Sequence, residues 1–135
     1  MWSAFKRQIC GLIIATCALS LLYAADKQQL KAALDAVDAN LKTSAGKQYD
    51  ELSGKDFMEK YLPNMRQCKQ SLPAGSSLDP FDVFVKLKAD GQVVDALAYP
   101  ETPLAICTRA SLLNKKFSNP PHDEYWINIH LQLKH

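Results

Sequence analysis

The sequence has little excess charge of either sign. Its 16 basic residues outnumber its 14 acidic ones by two, and Lys6 and Arg7 account for that excess. Nucleic-acid binding needs a surplus of Lys and Arg that displaces counterions from phosphates, and anionic membranes attract the same surplus. The composition therefore argues against a nucleic-acid-binding protein and against a polybasic membrane patch.

The sequence also lacks the motifs of common catalytic and metal sites. It contains no G-x-S-x-G, no H-E-x-x-H and no glycine-rich phosphate loop. The run His122-Asp123-Glu124 follows two prolines, whereas a zinc site needs three or four converging ligands. Ser44 and Lys47 match the Ser-x-x-Lys spacing of penicillin-recognising enzymes, but we place them where a helix ends. We therefore expect no enzyme activity, no cofactor and no metal.

Residues 1–25 have the order of a secretory signal peptide. Lys6 and Arg7 precede an apolar run of about 14 residues, which is short of the ~20 that span a bilayer. The small residues Ala24 and Ala25 follow, and the chain then becomes polar. This order predicts export to the periplasm with cleavage after Ala24 or Ala25 and no membrane span thereafter. An uncleaved N-terminal anchor is the alternative.

Removal of that segment leaves two of the four cysteines, Cys68 and Cys107. In an oxidising compartment, a pair of cysteines in a small domain most simply forms a disulfide. Closing that loop stabilises the fold by about 3–4 kcal/mol in the chain-entropy treatment. A mature chain of about 110 residues has a thin core, so the bond is important for its stability.

Two helices are predicted in an N-terminal helical region, residues 26–72. Both stretches, residues 26–43 and 54–72, have apolar residues at alternating steps of three and four, the spacing of an amphipathic helix. Ser44-Ala45-Gly46 should end the first helix, and Pro63 should kink the second or split it in two. The period continues past the proline, which favours a kink. The predicted apolar faces consist of Leu30, Leu34, Val37 and Leu41, and of Met58, Tyr61, Met65, Cys68 and Leu72.

Residues 73–135 change to the alternation of strands. The turn Asp90-Gly91 separates two strands, 81–87 and 93–99, which form a hairpin. A helix then begins at Pro103, and a last strand runs from Tyr125 to Leu133. The predicted buried stripe of that helix consists of Ile106, Ala110, Leu113 and Phe117.

These elements predict an α+β fold. N-terminal helices precede a β-hairpin–helix–strand unit, which forms a small three-stranded antiparallel sheet with helices on one face.

A set of motifs occurs in a fixed order between residues 81 and 133. A strand leads to Asp90-Gly91-Gln92-Val93, a second strand and a helix with Leu104-Ala105-Ile106-Cys107. Phe117-Ser118-Asn119-Pro120-Pro121 and a last strand follow. This order resembles the C-terminal domain of TonB and TolA, periplasmic parts of envelope energy-transducing complexes. A helix cysteine paired with an upstream cysteine is also similar to the cysteine-containing members, which implies a β-β-α-β domain over residues 73–135.

The resemblance implies a protein-binding module rather than an enzyme. Members of the family accept an extended peptide at a sheet edge, where backbone groups give affinity and alternate side chains give selectivity. Carried onto this chain, that edge is the last strand, with Tyr125, Trp126, Asn128 and His130 as the partner-binding residues. The alternative is that the N-terminal helix covers this edge.

The region upstream of the resemblance lacks the long spacer of TonB and TolA. A free-standing adaptor that binds an envelope protein or peptide therefore fits better than energy transduction. The alternative function is a small periplasmic inhibitor or immunity protein that occludes an enzyme active site.

Overall fold

The computed structural model describes residues 26–134, and the predicted signal peptide lies outside this range. The helices are α1 (26–41), α2 (Ser44–Asp56), a π-helical segment (Phe57–Tyr61), α3 (Leu62–Ser71) and α4 (Pro103–Leu112). The strands are β1 (Phe81–Leu87), β2 (Val93–Tyr99) and β3 (Tyr125–Leu131). Within the described range, no helix is long and apolar enough to cross a membrane.

The three strands form one antiparallel sheet in the order β2-β1-β3. The hairpin of β1 and β2 turns at Asp90-Gly91, as predicted. The Gly91 N–H donates to the Lys88 carbonyl at 2.8 Å, and Gly91 has a φ of 85°. That left-handed backbone favours glycine, because a side chain would crowd the neighbouring carbonyl. The predicted α+β fold with a three-stranded antiparallel sheet is confirmed.

Helices α2, α3 and α4 share one hydrophobic core with the sheet. The side chains of the odd-numbered residues of β1 and β3 point into the core, which agrees with the period of two in the sequence. We call the continuous run of α2, the π-helical segment and α3 (44–71) the long helix. The core includes Tyr49, Phe57, Met65 and Cys68 from the long helix, Leu104, Ala105 and Leu112 from α4, and Phe81, Val83, Val85, Leu87, Ile127, Ile129 and Leu131 from the sheet.

The first predicted helix boundary is wrong. Ser44 begins α2 instead of ending α1, because the Thr43 side chain caps the new helix by accepting from the Gly46 N–H at 2.9 Å. Threonine is a common N-cap, since its oxygen satisfies one of the free N–H groups of the first turn. The second helix therefore starts ten residues earlier than predicted.

The helical hydrogen bonding changes just before Pro63. The chain forms the π-helical segment just before it, and the Leu62 N–H donates to the Phe57 carbonyl five residues back. Pro63 then occupies the first turn of α3, where its missing N–H removes no helical bond. Met58, which was predicted on the apolar face, is 58% exposed.

Helix α4 is shorter than predicted and is rotated about its axis. It ends at Leu112, and Asn114 adopts a left-handed φ of 63°. Its buried residues are Leu104, Ala105, Thr108 and Leu112, whereas Ile106, Ala110 and Leu113 are exposed. The polar Thr108 in the buried row conceals the true apolar face from a hydropathy pattern. Phe117 is buried, but it lies beyond the helix.

Three side chains of the long helix hold the segment after α4. The Tyr49 hydroxyl donates to the Ser118 carbonyl at 2.6 Å, and the Tyr61 hydroxyl bonds both main-chain groups of Lys116. Asp56 accepts from the Ser118 N–H at 2.7 Å. An α-helix would turn Tyr61 about 140° away from Asp56 over five residues. The extra residue of the π turn returns it to the same side.

Candidate functional site: the β3 edge of the sheet

The predicted last strand lies at an edge of the sheet, because β1 is its only neighbour in the described sheet. Its side chains alternate between the core and the opposite face, which we call the outer face. Trp126, Asn128 and His130 belong to the outer face, and His130 is exposed. Tyr125 is buried instead, and its ring packs edge-on against Tyr49 with centroids 5.2 Å apart.

Two charged residues of β1 lie beside these side chains. Asp82 is in register with His130, and its Oδ1 lies 3.0 Å from His130 Nδ1 and accepts from Asn128 Nδ2 at 3.1 Å. Lys86 is in register with Trp126 and lies 5.9 Å from the centre of its ring. Lys86 also pairs with Glu124 at 3.4 Å. The outer face at β3 is therefore polar, with one aromatic ring at its start.

Sequence reasoning did not name Asp82 and Lys86 as site residues. Their alternation with the apolar residues of β1 predicts that they share a face. Only the strand order and register show that they lie beside β3, and neither follows from the period of a single strand.

The backbone at the start of β3 is already occupied. The Asn40 side-chain amide donates to the Trp126 carbonyl at 3.1 Å. Alternate residues of a strand direct both main-chain groups to the same side, so the groups of Asn128 and His130 point the same way as that carbonyl. Because β1 lies on the other side of β3, we assign these groups to the free edge.

The opposite edge, β2, is protected at several points. A bulge occurs opposite Lys86 and Leu87, and the Val93 N–H donates to the Lys115 carbonyl at 2.8 Å. The Asp95 carboxylate accepts from the Ala96 N–H at 2.8 Å, and Pro100 follows the strand. Bulges, charged residues and proline are the usual means by which a sheet edge resists pairing.

The disulfide Cys68–Cys107 is present and joins α3 to α4. Cys68 is buried in the main core, with 4% of its surface exposed. The bond lies behind the sheet and takes no part in the β3 edge, so we assign it a structural role.

Ser44 and Lys47 lie in the first turn of α2. The prediction that they lie at the end of a helix, which we used as an argument against a catalytic role, is therefore wrong. Both are exposed. A nucleophilic serine needs a base within hydrogen-bond reach and a site that excludes water, and solvent-exposed side chains do not provide this.

The residues His122, Asp123 and Glu124 are used within the fold. Asp123 accepts from the Ala89 N–H at 2.9 Å, and the His122 ring packs edge-on against Tyr125. Among residues 26–134, no group of His, Cys, Asp and Glu is arranged to hold a metal ion.

Burial raises the pKa of Tyr49, and the nearby charge of Asp56 adds to this effect. Burial also raises the pKa of Tyr125, with a contribution from Asp50. Both phenols are therefore neutral at physiological pH.

The fold and the site together define a disulfide-bonded α+β protein with a protected edge at β2 and a second edge at β3, whose start is bonded by Asn40. No family model, no curated protein and no solved structure matches this chain.

Proposed function

We propose that the chain is an exported protein-binding module that resembles the C-terminal domain of TonB and TolA. An extended segment of an envelope protein or peptide pairs with the β3 edge as an additional strand. The observation that carries this proposal is the difference between the two edges. Strand β2 is protected by a bulge, a carboxylate and a proline, whereas residues 26–134 show no hydrogen bond to the edge-facing main-chain groups of Asn128 and His130.

The side chains of the outer face would give this pairing its selectivity. Side chains directly opposite each other on neighbouring strands lie about 4.5–5.5 Å apart, so the partner would contact Trp126, Asn128 and His130. Asn128 has a buried Oδ1 without a hydrogen-bond partner. A donor side chain on the partner strand would satisfy it. Tyr125 contributes only its backbone, because its side chain lies in the core.

The disulfide supports the exported location. Structural disulfides persist in oxidising compartments such as the periplasm and are rare in the cytosol. The Cys68–Cys107 bond therefore agrees with the export that the signal-like residues 1–25 predict.

The test is affinity capture from an envelope extract with the processed protein as bait. Asn128→Pro and His130→Pro remove edge-facing N–H donors, and proline is tolerated on edge strands where the N–H faces outward. We expect both variants to lose the captured partner. Asn128→Ala is the matched control, since it keeps the N–H and should retain at least part of the binding.

A partner that survives both prolines would contradict strand addition. The alternative is then an inhibitor or immunity protein that occludes an enzyme active site through a loop. The exposed loop residues His122 to Glu124, just before β3, are the nearest such surface. Alanine substitutions there would remove binding in that case and leave it intact in the case of strand addition.

A further inference from the structure

Three buried apolar residues of the described chain do not belong to the main core. They are Ala33 and Val37 of α1, which are 0% and 7% exposed, and Phe84 of β1, which is 3% exposed. Phe84 points to the outer face, because its neighbours Val83 and Val85 point inward. Another part of the chain must therefore cover the middle of the outer face.

Helix α1 is hydrogen-bonded to that region. Ala33, Val37 and Asn40 are four and three residues apart, so they share one side of the helix. Asn40 bonds the Trp126 carbonyl on β3, and the two apolar residues on the same side are buried. We infer that α1, from Ala33 onward, is a removable cover that lies over Phe84 and β3 and blocks the start of the β3 edge.

The contact is small for a helix of this length. Between residues 33 and 41, the fully buried apolar side chains are an alanine and a valine and Ala36 is half-buried, whereas the larger Leu34 and Leu41 are 43% and 36% exposed. Hydrophobic stabilisation scales with the apolar area removed from water, so this cover contributes much less than the main core. Segments with few buried contacts open locally, without unfolding the whole protein.

Opening would couple α1 to binding, and this step alone rests on the proposed function. A strand that pairs along all of β3 needs the Trp126 carbonyl, which Asn40 occupies. The apparent affinity of such a partner is reduced by the fraction of molecules in the open state. The cover would thereby protect the edge from unwanted pairing until a suitable partner displaces it.

The experiment measures opening without any partner, by native-state hydrogen exchange on the processed protein. Ala33→Glu places a charge in a buried contact, and we expect exchange of the amides of residues 33–41 to rise at least about tenfold. Exchange in β1 should stay within about twofold of the wild type. Ala39→Glu is the matched control, since Ala39 is an exposed alanine of the same helix and should leave exchange unchanged.

Two results would overturn the inference. One is exchange in β1 that rises in parallel with α1, which would make α1 an integral part of the fold; the other is no response of α1 to Ala33→Glu. Asn40→Ala provides an independent variant if Ala33→Glu fails to fold, with an expected rise in α1 exchange of about fivefold. Failure of the proposed function can be distinguished from failure of this inference. In that case the Asn128→Pro and His130→Pro variants would still capture the partner, while hydrogen exchange would still show that α1 opens.

Discussion

The carboxylate of Asp56 accepts a 2.7 Å hydrogen bond from the Ser118 N–H, although 62 residues separate them in the chain. The same carboxylate pairs with Lys60 at 2.9 Å. Burial works against the charge of Asp56, but the bonds from Lys60 and Ser118 outweigh it and hold the pKa below its ordinary value. This contact attaches the long helix to the segment that leads from α4 towards β3.

We expect Asp56→Ala to lower the free energy of unfolding by about 2 kcal/mol, because it leaves the Ser118 N–H without its charged acceptor. A carboxyl with a depressed folded-state pKa stabilises the fold above its unfolded pKa of about 4, and that contribution is lost as the pH falls through the folded value. Urea denaturation between pH 2 and 7 measures both effects. The variant should lose part of the wild-type pH dependence below about pH 4, whereas Glu51→Gln, at an exposed position of α2, should keep it.

The disulfide is expected to contribute about 3–4 kcal/mol to stability. Reduction of the wild-type protein should lower the free energy of unfolding by that amount, as measured by urea denaturation with and without dithiothreitol. The double variant Cys68→Ala/Cys107→Ala should be destabilised and should not respond to the reductant. A wild-type protein whose stability is the same in both conditions would contradict the structural role.

Deletion of Met58 should be tolerated. The π-helical segment contains one residue more than an α-helix needs, so removing an exposed residue there converts it to an α-helix and keeps the faces on either side aligned. We expect a change in unfolding free energy of about 1 kcal/mol or less and normal disulfide formation. The readouts are thermal melting and a free-thiol assay.

The matched control is deletion of Gln67 in α3. It has no π turn to absorb the loss, so Cys68 rotates by about 100° and moves away from Cys107. Free thiols should then be detected. An equal loss of stability and of the disulfide in both deletion variants would contradict the interpretation of the π segment as a one-residue insertion in an α-helix.

Gly91→Ala should destabilise the protein by about 3 kcal/mol or more, because two effects combine. The φ of Gly91 is 85°, and an added Cβ would come within 2.0 Å of the Phe117 carbonyl oxygen. Gly75→Ala separates the backbone effect from the steric effect, since Gly75 has a φ of 82° but open space around it. It should cost only about 1 kcal/mol. Thermal melting of both variants tests the difference, and similar losses would contradict the steric part.

Alternating hydrophobicity was enough to predict the strands, Asp90-Gly91 the hairpin turn, and the two cysteines left after the signal-like segment the disulfide. The inward residues Ile127 and Ile129 follow a period of two that no helix satisfies, and Asp90-Gly91 has few uses other than a tight turn. The face of α4 was predicted incorrectly. Ile106, Ala110 and Leu113 have helical spacing, but so do Leu104, Thr108 and Leu112, and tertiary packing selects the second set.

The site could be predicted only in part. The last strand was expected to offer its outward side chains, and the structure places Trp126, Asn128 and His130 on the outer face of an edge strand. The contacts of Asp82 with that strand and of Asn40 with Trp126 depend on strand order and helix placement. Such long-range relations leave no periodic signal in the sequence.

The inequality of the two edges sets a limit on self-association through the sheet. Copies that join edge to edge can use only β3, because the bulge, Asp95 and Pro100 close β2 to pairing. A β3-to-β3 contact is symmetric and pairs the β3 edge of both molecules, so no further copy can add to the sheet of such a dimer. Association through the edges of the native sheet is therefore limited to pairs and cannot propagate into fibrils.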